Sequence, residues 1–131
     1  MIHQMNRASE RNSDALNREE LVGRLLGNAA LAQRMLSQFL DAIPEEIDLL
    51  ESVIRIGDPK EIATLAHRHK GTARTLAARR VADVASEIER QAWEGSTSNL
   101  LSLVDELRTS HSHLQNELEA WAGEASDGAP E

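Results

Sequence analysis

Residues 58–78 read DPKEIATLAHRHKGTARTLAA. Asp58 is a helix-capping residue type, Pro59 suits the first helical position because no N–H is needed there, and Glu61 stands at the third. At about 100° per residue, Ile62, Leu65, Thr72 and Leu76 fall on one side of the resulting helix, which is expected to face the core. The opposite side collects Lys60, Ala63, His67, Lys70, Gly71, Arg74 and Ala78, with His67 near its centre. The pattern predicts an amphipathic helix from Pro59 to about Ala78 that must pack against others.

The flanking sequence supplies those partners. Asn28 caps a long segment whose apolar residues Leu36, Leu40, Ile43, Ile47, Leu50 and Ile54 recur every three or four positions until Gly57. Pro44 lies inside it and is expected to kink it. Before it, Asn17 and Glu20 form a capping-box-like start for a short helix with Leu21, Val22, Leu25 and Leu26, ending at Gly27. After residue 78, one helix carries Val81, Val84, Ala85, Ile88 and Ala92 and stops near Gly95. The last carries Leu100, Val104, Leu107, Leu114, Leu118 and Trp121 and ends at Gly123. Short connections between amphipathic helices imply antiparallel neighbours. The expected fold is all-α, an antiparallel up-down four-helix bundle with a short additional N-terminal helix. Residues 1–16 read as a flexible arm, 17–123 as the bundle, and 124–131 as a flexible tail.

Composition narrows the chemistry. Aromatic residues make up 2% of the 131, so the core is aliphatic, which suits helix-on-helix packing better than a sheet. The absence of cysteine excludes disulfides, zinc-thiolate sites and cysteine nucleophiles. No apolar run approaches the ~20 residues of a membrane span, and no signal-peptide core is visible, so a cytoplasmic location is expected. A net charge of −8 argues against a nucleic-acid partner.

The His67 face has properties that suit an anionic group. Ala63 and Gly71, one turn to either side, leave room for an approaching partner. Gly71 costs the helix roughly 1 kcal/mol relative to Ala, which calls for a local reason. Lys60, Lys70 and Arg74 disfavour the imidazolium, and would stabilise a phosphoryl group once attached. A neutral imidazole is the nucleophilic form.

The string Leu65-Ala66-His67-Arg68-His69-Lys70-Gly71-Thr72-Ala73 resembles the signature of the histidine phosphotransfer (HPt) domain family of bacterial two-component phosphorelays. LLGNAALAQRMLSQFLDAIPEEIDLLESVIRIGDPKEI before it and VADVASEIERQAWEG after it are similar to the family's neighbouring helices, a likeness running from residue 20 to residue 122. The resemblance implies a phosphocarrier without intrinsic kinase activity. It would take a phosphoryl group from a receiver-domain aspartate or a histidine kinase and pass it to a response regulator. His67 is then the phosphoacceptor, Lys70 the phosphate-side cation, and Gly71 the clearance for the partner. Glu89 matches a position that in many members holds the other imidazole nitrogen; a surface carboxylate paired with Arg90 or Arg80 is the alternative. Lys60, Ala63, Arg74 and Phe39 are the expected partner-binding residues. Expected partners are a response-regulator receiver domain and a hybrid histidine kinase, with Mg2+ held only by the receiver and no cofactor on this chain. A monomer is expected, since each helix needs one buried stripe.

Other constellations carry less. The pairs His67/His69 and His111/His113 point about 200° apart on a helix, so neither chelates one ion. His69, where the family usually has an apolar residue, and His111 read as hydrogen-bonded histidines at the core. Gly23 to Gly27 lacks the Lys-Ser/Thr of a phosphate loop. Trp93 and Trp121 are expected to pack structurally, while Met35 and Phe39 border the His67 face. The rival function is a helical adaptor that docks a receiver or another signalling protein without accepting phosphate.

Overall fold

The first three helix starts follow their capping residues. The structure, a computed structural model, describes residues 13–127, which contain α1 (Arg18–Arg24), α2 (Ala29–Ile56), α3 (Pro59–Thr75), α4 (Arg79–Trp93) and α5 (Leu100–Asp127). Asn17 Oδ1 accepts the Glu20 N–H at 3.0 Å, and Asn28 Oδ1 the Leu31 N–H at 2.9 Å. Asp58 Oδ1 takes the N–H groups of both Lys60 and Glu61, at 3.2 and 3.3 Å. Gly57 closes α2 at φ 89°, the left-handed conformation that glycine adopts without strain. Pro44 is accommodated inside an unbroken α2.

α2 packs against α3 and α5, and α4 against the same two. The four long helices therefore close a ring in chain order, the up-down bundle expected of short connections. α2 and α5, at 28 residues each, outreach α3 and α4 at 17 and 15. The short pair leaves one end to α1. There the Asn17 N–H donates to the Ala77 carbonyl at 3.0 Å, and Leu16 and Leu21 are buried. Arg18 ties α1 to the far end of α5. Its guanidinium donates to both oxygens of Glu124 at 3.0 Å and lies 5.4 Å from the centre of the Trp121 ring.

Four local expectations are corrected. α3 ends at Thr75, because Ala77 takes a left-handed φ of 58° and the Ala78 N–H turns back to the Ala73 carbonyl at 2.9 Å. α5 continues through Gly123 to Asp127, since a glycine that keeps helical dihedrals does not end a helix. Residues 13–16, read as part of the arm, are packed: Ala15 is buried beside Leu16, and the Asp14 carbonyl accepts the Arg80 N–H at 3.1 Å. The rest of the arm, 1–12, and residues 128–131 of the tail lie outside the described residues.

The fourth correction moves the site. α3 buries Ile62, Ala63, Ala66, His69 and Ala73, while Thr72 is exposed and Leu65 half-buried. Its inner face is thus rotated by roughly 60° from the expected one, at 100° per residue. The reason is the neighbour. α3 is covered by α4 as well as α2, and alanines on both helices (Ala63, Ala66 and Ala73; Ala82, Ala85 and Ala92) let the two approach closely. Large apolar residues alone do not mark the centre of such a face.

Candidate functional site

The rotation brings His67 to the edge of the α3–α4 seam. Its side chain remains 66% exposed, and its Nδ1 lies 2.9 Å from Glu89 Oε2. An ionised carboxylate only accepts, so Nδ1 carries a proton, and in the neutral ring the lone pair is then on Nε2. The other Glu89 oxygen, Oε1, is paired with Lys70 Nζ at 2.5 Å. Glu89 and Lys70 are both largely buried, so one carboxylate, reached from α4, holds two α3 side chains a turn apart. Burial pushes the Glu89 carboxyl up, but the hydrogen bonds from Lys70 and His67 outweigh it and leave its pKa below the usual value. It is ionised at neutral pH. Of the alternatives open for Glu89, the pairing with His67 is the one formed; Arg90 is occupied by Glu87 and Glu94.

Gly71 follows one turn beyond His67 and is exposed. A Cβ placed there would meet nothing within 4 Å, so no internal contact requires the glycine. Lys60 and Arg74 lie exposed seven residues to either side of His67 on α3, and Arg68 is exposed beside it. None of the three belongs to an ion pair among the described residues. The result is an open imidazole on a cationic strip. Among the described residues no three of His, Cys, Asp and Glu are grouped to hold a metal ion.

Two expected partner-binding residues sit elsewhere. Ala63 is 1% exposed in the α3–α4 packing, and Phe39 is buried with its ring 5.6 and 5.7 Å from those of His69 and His111. Neither reaches the surface beside His67. Trp93, expected to pack, is 64% exposed, whereas Trp121 is buried as expected.

His69 and His111 meet inside the bundle. Their Nε2 atoms are 2.9 Å apart, and His69 Nδ1 lies 3.1 Å from Glu46 Oε1. The Glu46 carboxylate fixes the proton on His69 Nδ1, so His111 Nε2–H donates to His69 Nε2, and both rings are neutral. Burial pushes both imidazoles down, His111 to about 3. Helix periodicity places each on a core face, but the pairing between them has no signal along the chain.

A helical bundle that presents one anchored, solvent-facing imidazole beside lysine, glycine and arginine has the make-up of a histidine phosphotransfer domain. Residues 34–123 match the Hpt domain family, and the chain belongs to it. Membership carries the family's general role, phosphotransfer in two-component phosphorelays. The chain is similar to the virulence sensor protein BvgS of Bordetella parapertussis, 25% identical over 109 residues, and to that of Bordetella bronchiseptica, 24% identical over the same length. Each alignment covers 82% of this chain and 9% of the relative, so the chain spans about a tenth of those proteins. No solved structure matches. No helix among the described residues is long and apolar enough to cross a membrane.

Proposed function

We propose that this chain is a phosphorelay intermediate that accepts a phosphoryl group on His67 Nε2 from a receiver-domain aspartate or a histidine kinase and hands it to a response regulator. The observation that carries this reading is the Glu89 anchor, which spends Nδ1 and leaves Nε2 free and exposed. In the uptake step the Nε2 lone pair forms the N–P bond as the P–O bond to the donor aspartate breaks and its carboxylate leaves. The positive charge that develops on the ring is met by Glu89 through Nδ1–H. Lys70 is within a turn of the new phosphoryl group, and Lys60 and Arg74 extend the favourable field along α3. Gly71 leaves the approach to Nε2 open.

Magnesium belongs to the receiver's carboxylate site in this scheme, and this chain supplies no kinase activity. The setting is cytoplasmic. The test is phosphoryl uptake from a phosphorylated receiver domain by wild type and by His67→Gln. Acid-labile, base-stable label in wild type that is absent from the variant is the expected result. Label retained in the variant moves the acceptor off His67. Binding of several competent donors with no label in wild type selects the adaptor instead.

A further inference from the structure

Trp93 is the last residue of α4 and 64% exposed, while the chain's other tryptophan is buried beneath Arg18. Single exposed apolar side chains are ordinary on protein surfaces, and Leu49 and Ile56 on α2 are further cases here. Position sets Trp93 apart. It follows Glu89 by four residues on the same face of α4, about 6 Å along the axis, and Glu89 is in contact with His67 and Lys70. A partner that delivers a phosphoryl group must bring its phosphorus within about 3.5 Å of Nε2. A protein docked that closely covers about 800 Å² of this chain, a disc of roughly 16 Å radius. A footprint of that radius centred on Nε2 extends well past Glu89, and Trp93 is one turn further along α4.

Its surroundings suit that role. Arg90 pairs with both Glu87 and Glu94, so the charged side chains of α4 nearest the indole are tied to one another and leave one net negative charge. Lys60, Arg68 and Arg74 on α3 are exposed, which favours an acidic partner surface around the phosphoryl donor. An exposed indole within a rim of paired charges, beside open cations, has the composition of an interface centre.

Building on the carrier reading above, we infer that Trp93 is the apolar anchor on which the receiver domain docks when it exchanges phosphoryl with His67. The anchor acts on association and not on the bond-making step.

The test compares wild type, Trp93→Ala and Trp93→Phe with two donors: phosphoramidate, which needs no docking, and receiver domains from the source genome loaded with acetyl phosphate. Expected is a fall of at least tenfold in the ratio of receiver-driven to phosphoramidate-driven uptake for Trp93→Ala. The loss should lie in KM for the receiver with little change in kcat, and Trp93→Phe should restore most of it. Wild-type tryptophan emission should shift to shorter wavelength when the receiver binds, a shift absent in Trp93→Phe. An unchanged ratio and KM in Trp93→Ala overturn the inference and leave the carrier reading standing, and so does emission that receiver binding does not move. The converse result, a Trp93-dependent shift with no label from either donor, supports docking and removes the carrier reading.

Discussion

His69 and His111, forty-two residues apart in the chain, share a single proton between Nε2 atoms 2.9 Å apart in the interior of the bundle. The contact joins α3 to α5, and Glu46 on α2 holds its other end. Three helices thus meet in one polar chain beneath the Phe39 ring, and His111 Nδ1 has no hydrogen-bond partner among the described residues.

This pair should make the fold acid-sensitive well above the carboxylate range. Both folded-state pKa values lie below the ordinary histidine value of 6.5, His111 at about 3. Below pH 6.5 the unfolded chain therefore binds protons that the folded chain refuses, and stability falls as pH drops toward 3. The slope is about 1.4 kcal/mol per pH unit for each such proton. Urea unfolding at half-unit steps from pH 7 to 4.5 measures it. The double variant His69→Leu, His111→Leu removes both partners, leaves neither ring orphaned, and should flatten the curve over that window. A curve as steep as wild type would locate the proton uptake elsewhere.

Gly71→Ala should separate stability from transfer. The new methyl meets open space, and alanine is the better helix former by about 0.5–1 kcal/mol. The urea midpoint should therefore rise. Phosphoryl uptake from a receiver should nevertheless slow, since the methyl projects one turn from His67 on the open side. Faster or unchanged uptake in a stabilised Gly71→Ala would show that the glycine clears nothing for the partner.

Glu89 should control which ring nitrogen of His67 carries the proton. In wild type, nitrogen chemical shifts at pH 8 should report Nδ1–H, held by the carboxylate 2.9 Å away. Glu89→Ala removes that acceptor, and the Nε2–H form should grow at the expense of the nucleophilic one. Uptake should fall by about 10-fold, at the lower end of the range for lost supporting hydrogen bonds. Glu89→Gln keeps an acceptor oxygen and should retain the tautomer while losing the ion pair to Lys70. An unchanged nitrogen spectrum in Glu89→Ala would mean that the contact does not select the tautomer.

Helix number and order, and the starts of α1, α2 and α3, were legible along the chain because they depend on local chemistry. Asn17, Asn28 and Asp58 cap their own helices within three residues, and short connections between amphipathic helices call for antiparallel packing. The motif around His67 was legible for the same reason: Lys70 and Gly71 lie within a turn or so of it. Which way α3 faces was not, because that depends on how closely α4 can approach over alanines, a property of two helices together. The same packing buried Ala63, brought Glu89 to His67, and left Trp93 in solvent. Phe39, His69 and His111 met only once α2, α3 and α5 closed around them. Local periodicity determined the elements, and the motif's resemblance to the family singled out His67 as the proposed acceptor. The rotation of each helix about its axis, and with it the company His67 keeps, was decided by tertiary packing, since burial is settled between helices and not within one.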